Sequence, residues 1–252
     1  MAGELSPSIT LLNFLEVIDI GELVGDHGEN FSFDWFTSSE SQETQLSWQQ
    51  IYLCITTKHV IPVWIGSLSR LYPLNLSKNK FVSEIPSTIT NLENLGVLDL
   101  HTRNLGVLDL HTNKLEGNVN AVFQMKSRFE GGSLTYLDLS GNCFSRVIDP
   151  IGMGGQENIR YLNISHNFLE GSNLPTSLAN ASTLERLMLQ KNQSTGRIPE
   201  EFLKLINLKE LNLSDNRLEG KIPYGKPFLD FPSSSFSGNR GLCGKPLPPC
   251  KS

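Results

Sequence analysis

The sequence contains no apolar run approaching the roughly 20 residues that a membrane-spanning helix requires. Its start, MAGELSPSITLLNFLEVIDIGELVGD, places Glu4, Glu16 and Asp19 where a secretion signal would have a basic stretch followed by an apolar block. No membrane segment and no signal peptide are expected within it. Basic residues are not concentrated anywhere: 21 Lys and Arg against 26 Asp and Glu leave a formal charge of −5, so the phosphate-neutralising patch of a nucleic-acid-binding protein is missing. Cysteine is scarce. Of Cys54, Cys143, Cys243 and Cys250 only the last two lie close together, in a Gly/Pro-rich stretch that could close a small loop. They read as one disulfide, hence an oxidising compartment, the alternative being a reduced protein with four inert thiols.

Catalytic patterns are also lacking. The histidines (His27, His59, His101, His111, His166) form no H-E-x-x-H, and no C-x-x-C accompanies them, so neither a metal nor another cofactor is expected. The run GMGGQE at 152–157 lacks the spacing of a nucleotide-binding glycine loop and reads as a plain loop. No G-x-S-x-G elbow presents a nucleophilic serine, and an enzyme is the weakest functional class.

What is present is a period. The pattern Leu-x-x-Leu-x-Leu-x-x-Asn-x-(Leu/Phe) recurs with its Asn at Asn79, Asn113, Asn142, Asn167, Asn192 and Asn216, at intervals of 34, 29, 25, 25 and 24. The first interval is long because residues 94–102 recur unchanged at 104–112; without those ten extra positions it would be 24. A unit of this length is one coil of a solenoid, too small to bury its own apolar side until neighbours stack on it. In LTYLDLSGN (134–142), Leu137 and Leu139 alternate with Tyr136, Asp138 and Ser140, as strand residues facing the core alternate with residues facing solvent. The Asn falls where the chain turns away from the strand. Buried there, its amide must find partners on neighbouring loop backbones, so a column of such residues would tie coil to coil.

Several blocks continue past the Asn as Gly-x-Ile-Pro, in LEGKIP (218–223) and STGRIP (194–199), and more loosely in VSEIP (82–86) and EGSNLP (170–175). The combined pattern resembles the plant-specific class of leucine-rich repeats found in receptor-like proteins, receptor kinase ectodomains and polygalacturonase-inhibiting proteins. The resemblance implies an α/β leucine-rich-repeat solenoid: a right-handed curved superhelix with a parallel concave β-sheet, and 3-10 turns and loops on its convex side. Residues 63–223 would hold the regular repeats, including the duplication at 94–113. FSGNRGLCGKPLPPC (236–250) is similar to the family's C-terminal cap, which places Cys243 and Cys250 in a loop-closing disulfide within 224–252. GELSPSITLLNFLEVIDI (3–20) is similar to a first repeat, so the family's N-terminal cap would lie upstream of Met1. Residues 1–62 are expected to be degenerate repeats with an irregular insert at 21–50; Lys58 stands at the ladder position there, and poor packing follows.

The surface left over is the concave array. Its outward positions include Asp109, His111, Tyr136, Asp138, Tyr161, Asn163, His166, Arg186, Met188, Gln190, Lys191, Glu210 and Asp215. Tyr136 and Tyr161 fall on adjacent coils beside Arg186 and Met188, residue types that dominate binding hot spots. Six N-x-S/T sequons occur, at Asn30, Asn75, Asn163, Asn180, Asn192 and Asn212. The repeat pattern itself generates most of them, and Asn180, on the far side of its coil, is the most credible glycan acceptor.

The expectation is a non-enzymatic module that binds a protein or peptide on its concave face, extracellular or at the cell surface (the apoplast), in plant defence or developmental signalling. A pathogen polygalacturonase and a co-receptor are the partners the resemblance suggests, and a polygalacturonase inhibitor is the alternative function. A scaffold or ice-binding protein would call for flat rows of Thr or Ser, which this varied array is not. Of the duplicated copies, the second should fill the sheet. Asn113 follows it at the ladder position, where the first copy would place Arg103, a buried charge without a carboxylate.

Overall fold

The Leu-x-Leu alternation becomes a column of short parallel strands. The computed structural model describes residues 18–19, 60–61, 63–67, 73–92, 106–125, 134–146 and 156–251. The concave sheet is built from β1 (Ile18–Asp19), β2 (Pro73–Asn75), β4 (Gly106–Asp109), β6 (Leu134–Asp138), β8 (Tyr161–Asn163), β10 (Arg186–Met188) and β12 (Glu210–Asn212), hydrogen-bonded in that order. A second layer on the return path holds β3 (Val82–Ser83), β5 (Lys114–Asn118) and β7 (Cys143–Arg146) as one sheet. A further sheet there holds β9 (Glu170–Asn173), β11 (Gln193–Gly196), β13 (Arg217–Lys221) and β14 (Gly241–Cys243).

Between the layers lies one continuous core. Leu74, Leu108, Leu137, Leu162, Leu187 and Leu211 pair across the concave sheet and are all buried, as are Leu76, Leu110, Leu139, Ile164, Leu189 and Leu213 two positions on. Opposite them, 3-10 turns supply Ile89, Leu178, Phe202 and Phe228. In the first three of those turns the Pro of an Ile-Pro or Leu-Pro step marks the start: Pro86, Pro175 and Pro199 hold extended backbone at φ −62°, −70° and −61° immediately before them. Helix is sparse. A four-residue α-helix, α1 (Asn120–Phe123), takes the place of a 3-10 turn in its coil.

The second copy of the duplicated stretch supplies β4, and Leu108 pairs with Leu74 on one side and Leu137 on the other. The first copy, at 94–103, lies outside the described residues, as do the insert at 21–50, Lys58 and Cys54. At the front, Ile18 pairs directly with Leu74 and Asp19 with Asn75, so β1 and β2 are immediate neighbours in the sheet.

The asparagine column is a backbone substitute repeated coil by coil. Asn142 donates through Nδ2 to the Leu110 carbonyl of the preceding coil at 3.0 Å and to Leu139 of its own at 3.1 Å. Its Oδ1 accepts the Leu115 N–H at 3.0 Å. Asn113, Asn167, Asn192 and Asn216 repeat the arrangement, each less than a tenth exposed. Asn79 donates to its own coil, at Leu76 and Ser77. One further member was not anticipated: Asn239 donates to Leu213 and accepts from Leu218, 23 residues after Asn216. Extending the period into the cap would have found it. The same segment closes the sheet's edge, since Leu213 and Asp215 donate their N–H groups to Ser235 and Ser237. Phe228 packs against Phe231 and Phe236 beneath, and the Cys243–Cys250 disulfide closes the chain's last loop.

On the return path the position four residues after the ladder Asn adopts a left-handed backbone in five coils: Gly117, Gly171, Gly196 and Gly220 have φ between +66° and +84°, and Ser83 stands there with φ +69°. A Cβ in that conformation costs about 1 to 2 kcal/mol, partly offset by glycine's greater freedom when unfolded. Ser83→Gly is therefore expected to raise stability by about 0.5 to 1 kcal/mol. A denaturant midpoint unchanged or lowered would show that the seryl side chain contributes more than its backbone costs.

Candidate ligand-binding face

The residues between the buried leucines form ordered rows across the concave sheet. Val107, Tyr136, Tyr161, Arg186 and Glu210 occupy one register, and Asn75, Asp109, Asp138, Asn163, Met188 and Asn212 the next. The second row has a local structural task. In each Asn or Asp, Oδ1 accepts the N–H two residues on, at 3.0 Å for Ser77, 3.1 Å for His111, 2.9 Å for Ser140, 3.1 Å for Ser165 and 3.0 Å for Ser214. The short polar side chain closes the turn that ends the strand. Met188 cannot do so and breaks the row with an apolar, partly exposed side chain.

At the centre, Tyr136 and Tyr161 lie face to face, their ring centroids 4.3 Å apart and their planes 4° from parallel. Both hydroxyls donate to Asp138 Oδ2, at 3.5 and 3.2 Å, joined by Asn163 Nδ2 at 3.0 Å. Ser140 supplies its N–H and its hydroxyl to Oδ1, the latter at 2.6 Å. Asp138 thus differs from the open contact carboxylate expected of its outward position: with 5% of its surface exposed, it is an anchor beneath the rings. The alternation that points it outward also places it under two bulky neighbours.

Burial raises the pKa of Tyr136 well above the phenolic range, with the Asp138 charge as the next cause. Tyr161 is raised by the same two causes in the same order. Both must stay protonated to donate to the carboxylate. A folded pKa above the unfolded value of about 10 means that their contribution to stability is complete below pH 10 and is lost as pH rises beyond it. Ultraviolet titration should therefore show two phenols ionising above the ordinary range, and Asp138→Asn should bring both back towards it. A titration in which no phenol ionises above that range would contradict this arrangement.

Around the pair, Arg186 reaches Glu210 at 3.3 Å across the strands, both about half exposed. Glu185 is held by Lys209 at 2.6 Å and lies 3.8 Å from Arg160, and its pKa is lowered chiefly by the Lys209 hydrogen bond. The sequence reading missed this second ion-pair cluster, because Arg160, Glu185 and Lys209 each precede a strand and only the stacking aligns them. Exposed pairs of this kind, screened by water and salt, contribute little to stability.

His111 Nδ1 lies 2.9 Å from Thr112 Oγ1, and its Nε2 lies 3.9 Å from Asp109 Oδ2. His166, Lys191 and Asp215 lie on the rim in left-handed backbone, φ +56°, +53° and +54°, each directly before a ladder Asn. Gln190 has a buried Oε1 without a hydrogen-bond partner. Of the sequons, Asn75, Asn163 and Asn212 use their side chains in turn closure and Asn192 is buried in the ladder, while Asn180 is exposed at the end of the turn Thr176–Asn180. Asn30 lies outside the described residues. Among the described residues no group of three or more His, Cys, Asp or Glu could hold a metal ion, and no helix is long and apolar enough to cross a membrane.

Comparison with known proteins gives this geometry a context. The Leucine Rich Repeat family model matches residues 133–153, 158–181 and 207–225. Receptor-like protein 39 of Arabidopsis thaliana is 33% identical over 168 residues, 66% of this chain; the chain spans 17% of that protein. Polygalacturonase inhibitor 2 of the same plant is 40% identical over 98 residues, 39% of this chain and 29% of the inhibitor. Among solved structures, Pollen Receptor Kinase 3 superposes with a TM-score of 0.57 at 30% identity, covering 70% of this chain and 77% of that one. The plant peptide hormone receptor RGFR1 in complex with RGF2 superposes with a TM-score of 0.59 at 27% identity, covering 71% and 26%.

Proposed function

The chain belongs to the plant leucine-rich-repeat proteins, and from that membership we propose that it is a non-enzymatic recognition module that binds a peptide or an extended protein segment across its concave face. The observation that carries the proposal is the Tyr136–Tyr161 stack. Two large rings, held rigid by a shared carboxylate and left partly exposed beside Met188 and Arg186, offer contact area that costs little entropy to immobilise. The relatives support the direction, being a receptor-like protein and a peptide hormone receptor. The disulfide suits an oxidising, extracellular setting.

The test starts from peptides selected on the wild-type protein out of a displayed random library. Tyr161→Ala should weaken them by about 2 kcal/mol or more, the size of a hot-spot truncation, in a binding titration, with the protein still folded at the temperature of the titration. Unchanged affinity would move the site off this face.

A second reading has one specific observation in its favour, the 40% identity to Polygalacturonase inhibitor 2. In that reading the same face blocks a fungal polygalacturonase. An assay of such an enzyme at increasing concentrations of this protein separates the two: dose-dependent loss of activity supports inhibition, and full activity at saturating protein removes it.

A further inference from the structure

We infer that the Tyr136–Tyr161 stack and the Asp138 carboxylate behind its hydroxyls take a basic segment, with a ligand arginine docked on the rings. This rests on the concave-face reading and names the chemistry that face selects. Asp138 is almost completely buried, and its partners are Tyr136, Tyr161, Asn163 and Ser140, all of them neutral donors. Hydrogen bonds from neutral groups satisfy the carboxylate's lone pairs without cancelling its charge. The negative field therefore emerges through the ring pair, and Asp109, paired with Asp138 on the neighbouring strand, adds to it at Tyr136.

The nearest cation in the ring row, Arg186, is drawn the other way, to Glu210 on the far side of its strand. A guanidinium suits the remaining geometry better than a compact ammonium. It is planar and can extend a stack whose two rings are already parallel, and it combines π-face attraction with the pull of the carboxylate at the rings' hydroxyl edge. The carboxylate is neutralised by this arrangement without being exposed, so the ligand need not displace the tyrosine hydroxyls.

The test uses three probes on the wild-type protein: hexa-arginine, the isosteric but uncharged hexa-citrulline, and hexa-glutamate, at about 150 mM salt, where exposed charges more than about 8 Å apart are largely screened. Hexa-arginine should bind at least tenfold more tightly than either of the others. Asp138→Asn should weaken hexa-arginine at least tenfold, while Glu219→Gln, on an exposed carboxylate of β13 outside the concave sheet, should leave it unchanged. If Asp138→Asn does not fold, Tyr136→Leu takes its place with the same expectation.

Equal binding of arginine and citrulline peptides, no binding of hexa-arginine, or a folded Asp138→Asn protein with wild-type affinity would each overturn the inference. In the last case, library-selected peptides that still depend on Tyr161 would leave concave-face recognition standing. Selected peptides indifferent to Tyr161 would remove both.

Discussion

Replacing Asn167 with alanine is expected to destabilise the protein by about 1 to 3 kcal/mol, while Asn173→Ala changes stability by less than about 0.5 kcal/mol. The two asparagines are six positions apart in one coil, and their surroundings differ. Asn167 is 5% exposed; it donates to the carbonyls of Leu139, Ile164 and Ser165 at 3.1 Å each and accepts the Phe144 N–H at 3.1 Å. Alanine leaves the buried Phe144 N–H without its acceptor, at a cost of about 1 to 3 kcal/mol, while the Leu139, Ile164 and Ser165 carbonyls keep Asn142, Asn192 and Gly141 as donors. Asn173 is exposed at the end of β9, where water can replace whatever its amide touches. Urea melts of the two variants read the difference directly. Equal midpoints would mean that the column is decoration and that leucine packing alone holds the coils in register.

The second large effect distinguishes the duplicated copies. Leu108→Ala should cost about 2 to 5 kcal/mol, the range for a leucine truncated in a closed core. Leu108 has no exposed surface and lies between Leu74 and Leu137 in the sheet. We propose that residues 94–103 contribute nothing to that core, so their deletion, which restores a 24-residue interval between Asn79 and Asn113, should leave stability at least as high as in the parent. A thermal melt showing the deletion to be as damaging as Leu108→Ala would mean that the first copy has been built into the fold.

Much of this was legible because a solenoid makes the long-range contacts of each residue depend on a fixed sequence offset. Once Asn142 and Asn167 are in register, so are Leu137 with Leu162 and Tyr136 with Tyr161, and the strands and core follow from one period. The choice of Val107 and Leu108 for β4 could be made on Asn113 alone. What could not be read was the depth of the outward row. Alternation says that Asp138 leaves the core side but is silent on whether two ring systems will close over it, since that depends on side-chain conformations across two strands. Nor did the period reveal β1 beside β2, because 56 residues separate Asp19 from Asn75 and an expected repeat lies between them. The ladder member Asn239 was legible in principle, but its Leu-x-Leu strand is replaced by the turn Ser233–Phe236, which hid the register.

The claim on which the functional account depends is that ligand binds the concave face, and hydroxyl-radical footprinting of the protein with and without a library-selected peptide measures it most directly. The probe oxidises tyrosine and methionine side chains according to their exposure, and these residues occur both on the concave face and away from it. On ligand binding Tyr136, Tyr161 and Met188 should lose most of their oxidation, while Tyr224, exposed in the loop after β13 and outside the concave sheet, keeps its own. Protection of Tyr224 with Met188 and Tyr161 oxidised as in the free protein would place the ligand elsewhere and contradict the account.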